Sequence, residues 1–138
     1  MGCIFCEIAG GKLPAARVLD EPDVVAFLDK KPLFHGHVLV IPRAHVETLP
    51  ELPPAGLSAL FPVVQRVARA VEAALEAEGS FVAMNNKVSQ SVPHLHVHVV
   101  PRRKGDGLKG FFWPRTKYAS DEAMNEVAAR VRARLEAP

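Results

Sequence analysis

Residues 94–100 read His-Leu-His-Val-His-Val-Val and stop at Pro101, and no other stretch of this chain limits its fold as strongly. Strict alternation has the period of a strand and not of a helix. On a strand, His94, His96 and His98 share one face. Leu95, Val97 and Val99 share the other and need a core to cover them. Alternate Cα positions lie about 7 Å apart, so the three imidazoles form one polar stripe. Charging all three at that spacing is unfavourable, and they should not all be protonated at neutral pH. A neutral imidazole is a nucleophile, and a protonated neighbour is a hydrogen-bond donor. Together they suit attack on a phosphorus centre. The same stripe could instead hold a metal ion or be a solvated polar face. All six histidines fall in two segments, 35–45 and 94–98.

The rest of the chain reads as short strands and two helices. Val18-Leu19, Val24–Leu28, His37–Ile41 and Phe81–Asn85 are expected strands, with Glu21-Pro22-Asp23 as a turn and Asn86–Pro93 as a polar loop. Leu57, Leu60, Phe61, Val64, Val67, Ala68, Val71 and Leu75 recur at helical spacing. Pro53-Pro54 suits the start of that helix and Gly79 its end, while Pro62 predicts a kink or a later start. After the irregular segment GDGLKGFFWPR, Ser120 can cap a last helix with Met124, Val127, Ala128, Val131 and Leu135 as its buried stripe. Strands and helices do not alternate regularly. The expected fold is therefore α+β: an antiparallel sheet of about five strands with a long central helix and a C-terminal helix. A length of 138 residues fits one domain spanning 1–138, with an N-terminal segment 1–14 and a C-terminal tail and helix from 102.

Seventeen basic against fifteen acidic side chains leave a formal charge of only +2, which gives no reason to expect nucleic acid as the main partner. Arg102-Arg103-Lys104 is a local basic cluster that could attract a phosphate-bearing ligand. No run reaches the length of a membrane span, and the start MGCIFCEIAGG lacks the regions of a signal peptide. A cytoplasmic protein with reduced cysteines is expected. Cys3 and Cys6 form a C-x2-C pair, which suits zinc if two more ligands exist, a redox couple, or two buried thiols.

The segment His94–Val100, with Ser89-Gln90-Ser91-Val92-Pro93 before it and Pro101-Arg102 after it, resembles the signature of the histidine triad (HIT) family. His37–Pro42 looks like that family's second signature strand, and CIFCEI resembles its bacterial members. The resemblance covers nearly the whole chain and implies a nucleotide hydrolase or transferase acting on nucleoside phosphoramidates or dinucleoside polyphosphates. It makes His96 the nucleophile that becomes nucleotidylated, His98 a contact to the α-phosphate, and His37 the support of the triad. It places Gln90 and Ser91 next to the phosphate and leaving group and adds Asn85 and Val92 to the substrate-binding residues. Phe27, Leu28 and Asp29 become the pocket wall, with Asp29 on the ribose hydroxyls of a purine nucleotide, adenosine by resemblance. Cys3, Cys6, His45 and His94 become ligands of a structural zinc, with no catalytic metal required. A homodimer is implied, using the 57–75 helix and a strand. Trp113 in FFWPR is either a reach into a neighbouring site or a core anchor. Competing classes are a nucleotide-binding module without turnover and a metal-dependent hydrolase. One departure stands out: the loop Asn85–Gln90 carries no Gly, whereas the family's best-known branch has a longer, Gly-containing one.

Overall fold

The computed structural model describes residues 2–108 and 115–136. Strands β1 (Arg17–Asp20), β2 (Val24–Leu28), β3 (Val38–Pro42), β4 (Gly79–Ala83) and β5 (Val97–Arg102) form one sheet in the order β1-β2-β3-β5-β4. Every neighbouring pair is antiparallel. The long helix α2 (Pro54–Ala74) covers one face and the short helix α1 (Ile4–Ala9) packs on the other. The α+β expectation holds.

Coverage on both faces explains why β2 and β3 read as unbroken apolar runs. Val24, Ala26, Val38 and Val40 join Leu60, Val64, Val67 and Val71 of α2 in one core cluster, together with Leu95, Val97 and Val99. Val25, Phe27, Leu39 and Ile41 point the other way and join Phe5, Ile8 and Ala9 of α1. Leu95, Val97 and Val99 are thus inside, as the alternation requires, and the histidines share the α1 side of the sheet.

Several expected boundaries move. β5 begins its ladder at Val97, not His94. The stretch before it is held by the Leu95 N–H donating to Val46 O at 2.7 Å. β4 starts at Gly79 and ends at Ala83, so Gly79 opens a strand instead of ending a helix. The chain leaves α2 at Ala74 and turns through Glu76, a non-glycine residue at φ 52°. Helix α2 runs through Pro62 with no later start. The carbonyl that loses its partner there belongs to Ser58, and both residues are exposed, so water can replace the missing bond. Leu57 and Phe61, expected in the core, are 37% and 39% exposed, and Val63 is buried instead.

Residues up to Asp106 form one compact unit, and those from Gly107 form a second. In the second unit, helix α3 (Asp121–Glu136) starts where expected, with the Ala123 N–H donating to Ser120 Oγ at 3.1 Å. Its expected buried stripe is not buried: Met124, Val127, Ala128, Val131 and Leu135 are all exposed. Trp113 and the rest of FFWP lie outside the described residues.

Helix α1 is too short to be stable alone. Phe5, Ile8 and Ala9 give it a buried edge, and burying side chains such as Phe and Ile contributes about 1.5–3 kcal/mol each. Two guanidinium groups hold its C-terminal end, where cations are favoured. Arg17 donates to Ile8 O. Arg43 donates to Ala9 O at 2.5 Å, to Pro22 O at 3.0 Å and to the Asp20 carboxylate. Arg43 therefore ties α1 to the β1–β2 turn from a position next to Pro42 and two residues before His45.

Candidate active site and metal centre

Four buried or half-buried imidazoles line the α1 side of the sheet: His37 before β3, and His94, His96 and His98 in and ahead of β5. Their partners fix their tautomers. The Leu33 N–H donates to His37 Nδ1 at 3.0 Å, so neutral His37 carries its proton on Nε2. That proton is donated to His98 Nδ1 at 2.9 Å. Neutral His98 then carries its own proton on Nε2, available as a donor. His96 Nδ1 lies 2.7 Å from the His94 carbonyl. A carbonyl only accepts, so His96 is protonated on Nδ1 and keeps a lone pair on Nε2. His94 Nε2 lies 2.8 Å from Pro42 O, which leaves the His94 Nδ1 lone pair toward the cysteines. The three alternating histidines thus carry three different hydrogen-bonding states.

Burial favours the neutral forms of His37, His94 and His98. Desolvation, reinforced by His96 and His37, pushes His98 down from 6.5 to about 4, against a small opposing pull from Asp29. Desolvation also lowers His37, opposed by Asp29, and lowers His94, opposed by its bond to Pro42 O. The unfolded chain binds more protons than the folded one between the depressed and the ordinary value, so stability rises with pH there. For His98 the contribution is complete above about pH 6.5 and is lost as pH falls toward about 4. Urea midpoints should climb across that window, and His98→Asn should flatten the climb. An unchanged slope in the variant would show that His98 is not one of its sources.

Asp29 sits beside His37, its Oδ2 3.8 Å from Nε2, while its Oδ1 accepts the Lys31 N–H at 2.9 Å. It serves the turn and faces the histidines. Phe27 is buried on the α1 side, edge-on to Phe5 at 5.5 Å, and Val92 packs against the same cluster. Leu28 is on the opposite face, in an apolar cavity with Leu19, Val38, Val67 and Val71. The structure does not bring it to the histidines, because Leu28 follows Phe27 directly and neighbouring strand residues point to opposite faces. In the loop ahead of the triad, Gln90 accepts from the Lys87 N–H at 2.8 Å and donates to Glu47 O at 2.6 Å. Asn85 donates to Ser89 O at 3.1 Å, and Ser91 is exposed. Without glycine, this loop places Lys87 and Ser89 at φ 70° and 60°, a region costly for residues with a Cβ.

Cys3, Cys6, His45 and His94 converge, with one ligand atom from each lying within 4.8 Å of the others. Cys3 Sγ and Cys6 Sγ are each 3.5 Å from His94 Nδ1, and Cys6 Sγ is 3.3 Å from His45 Nδ1. A tetrahedral ion with sulfur at about 2.3 Å and nitrogen at about 2.0 Å spaces such ligands by about 3.5 Å. The outer contacts fit as well: His94 Nε2–H on Pro42 O fixes the ring that would ligate. Burial and the adjacent Cys3 push the Cys6 thiol up, an effect that a cation between the sulfurs would reverse. Asp29, His37 and His98 also gather within 4.8 Å, but their protons oppose a metal. His37 accepts at Nδ1, so its Nε2 holds a proton where a ligand needs a lone pair.

Sequence reasoning missed helix α1, the Pro42 carbonyl, the Leu33 N–H, Phe5 and Arg43. Phe5, Ile8 and Ala9 at i, i+3 and i+4 were the available signal for α1. The backbone partners leave no trace in side-chain identity.

The HIT domain family model matches residues 11–105. The chain is 34% identical to a HIT family protein of Bacillus subtilis whose crystal structure superposes with a TM-score of 0.90 over 100% of both chains. A Zn-bound histidine triad family protein of Mycobacterium smegmatis is 35% identical over 96% of this chain and 97% of its own, with a TM-score of 0.74. The adenosine 5'-monophosphoramidase of Schizosaccharomyces pombe is 30% identical over 96% of this chain and 100% of its own. Together with the row of imidazoles leading into β5, these similarities establish that the chain belongs to the histidine triad (HIT) family.

Proposed function

We propose that this protein is a nucleotide hydrolase that cleaves nucleoside phosphoramidates at the α-phosphorus through a covalent adduct on His96. The carrying observation is the His96 Nδ1–H bond to His94 O, which leaves a nucleophilic lone pair on Nε2 beside His98. Nε2 attacks phosphorus as the P–N bond breaks and the amine departs with a proton from solvent. Water then attacks the phosphoryl-imidazole, the N–P bond breaks and a nucleoside monophosphate leaves. The Nε2–H of His98 donates to the crowded phosphate oxygens in both steps. His37 holds His98 in that tautomer. Gln90 is braced by Lys87 and Glu47 so that the loop carrying Asn85 and Ser91 keeps its shape. Asp29 Oδ2 faces the histidines and suits the ribose hydroxyls of a purine nucleotide, adenosine in the first instance. Phe27 and Val92 form apolar walls.

The Cys3–Cys6–His45–His94 cluster is read as a structural zinc site, supported by its ligand set and by the Zn-bound relative. An ion there supplies a fixed, closed anchor and takes no part in the reaction. Pairing of two chains through α2 and the edge strand β4 is supported by exposed Phe61 and Val82. Light scattering at twice the 15.0 kDa chain mass is expected, and the mass of one chain would refute the pairing.

Turnover is tested with adenosine phosphoramidates and a dinucleoside polyphosphate assayed side by side. Release of adenosine monophosphate from the phosphoramidate is expected. Faster cleavage of the dinucleoside polyphosphate would reassign the substrate, and inertness toward both would reject the proposal in favour of a binding module.

A further inference from the structure

We infer that Phe5 is a positioning residue for the His96 imidazole, and that helix α1 links the metal ligands to the nucleophile. The inference rests on the role proposed above for His96. Phe5 lies between Cys3 and Cys6 in sequence, and its ring meets that of His96 at 5.1 Å and 85°. The same ring touches Phe27 at 5.5 Å and His94 at 6.0 Å, and Phe5 is itself buried. His96 therefore packs against two rings, Phe5 at 5.1 Å and His98 at 5.0 Å.

Each contact constrains a different freedom. The bond from Nδ1–H to His94 O fixes one end of the imidazole and its tautomer. It still allows the ring plane to rock about that bond. Edge-to-face packing of the His96 ring against Phe5 and against His98 restricts the rocking, and with it the direction of the Nε2 lone pair. In-line attack depends on that direction, and small misplacement of a reacting group costs rate steeply.

Both supports trace back to the metal ligands. The carbonyl that receives the His96 proton belongs to His94, whose ring faces Cys3 and Cys6. The helix that delivers Phe5 follows directly on its N-cap residue Cys3 and carries Cys6. Arg17 and Arg43 secure its far end through Ile8 O and Ala9 O. A cluster that contributes no reacting atom would therefore set the orientation of one.

The test compares Phe5→Leu and Phe5→Tyr in protein that keeps its bound metal. Metal per chain, kcat and KM on an adenosine phosphoramidate, and the ¹⁵N signals of the His96 ring nitrogens are measured. Phe5→Leu is expected to retain metal, lower kcat about tenfold with KM changed less than about twofold, and shift and broaden the His96 ring-nitrogen signals while Nδ1 remains the protonated nitrogen. Phe5→Tyr, which restores a six-membered ring, should recover both kcat and the native signals. Wild-type kcat and nitrogen signals in Phe5→Leu would overturn the inference. So would parallel loss of metal and activity in both variants. If the wild-type protein turns over no phosphoramidate, the proposed function fails, while the nitrogen signals still decide whether Phe5 orients His96.

Discussion

Replacing His96 with alanine should lower kcat on a phosphoramidate by on the order of 10⁵-fold, the scale seen when a covalent nucleophile is removed. No neighbour can substitute for it. His94 turns its lone pair toward Cys3 and Cys6, and His98 uses Nδ1 to accept the proton of His37. His96 is buried at 4% exposure, so alanine also leaves a cavity, and a stability control is needed. His96→Asn supplies one, because its amide can still donate to His94 O. Both variants should bind adenosine monophosphate by calorimetry with an affinity near that of the wild type. Substantial turnover by either variant would show that the bond to phosphorus is made elsewhere.

Removing the metal ligands should have the second largest effect, and on stability first. Cys6→Ser should reduce bound zinc from about one per chain to a small fraction. An ion held at about a thousandfold excess over its dissociation constant stabilises the folded chain by about 4 kcal/mol, and its loss should lower the melting temperature by about 10 °C. The location of the cluster explains the size. It joins the short helix α1 to His45, three residues beyond β3, and to the start of the triad segment, three places far apart in sequence. Activity should decline as α1 loosens, with a time course matching exposure of its buried edge, and zinc beyond one equivalent should not raise it. A metal-dependent hydrolase would behave differently: chelation would stop the reaction while the fold stayed intact. That outcome would contradict the protonation pattern of His37 and His98. Unchanged zinc content and melting temperature in Cys6→Ser would remove the cluster from the account.

Much of this fold was legible because its main constraint is written as a period of two. Alternation from His94 to Val100 correctly put Leu95, Val97 and Val99 in the core under α2 and the histidines on the other side. β2 and β3 were legible in a different way, as unbroken apolar runs buried on both faces. The ladder boundaries of β5 and β4 were not legible, because they depend on which backbone groups find partners. Val97 begins pairing because Val40 lies opposite it, and residues 94–96 lie outside that ladder. The outward turn of Leu57 and Phe61 was hidden because helical spacing alone does not say how wide the buried stripe is. Helix α1 shows its period over a single turn only, in Phe5, Ile8 and Ala9.

The histidines were separable only in part. Family resemblance distinguished their roles, but the physical basis lies in main-chain partners. Pro42 O and His94 O are acceptors and the Leu33 N–H is a donor, and together they fix which nitrogen of each ring is free. Asp29 was named for a ribose contact and also proves to be a turn residue, as its position before Lys30-Lys31-Pro32 allows. Leu28 was grouped with Phe27 through the family resemblance, although adjacent residues on a strand face opposite ways.

The central claim is that His96 forms the bond to phosphorus. Its most direct test is rapid acid quenching during turnover of an adenosine phosphoramidate, followed by digestion and mass spectrometry. An adenylyl group on the peptide containing His94–His98, localised to His96 and absent from His96→Asn, is the predicted result. Turnover with no adduct at any quench time, or an adduct on another residue, would contradict it.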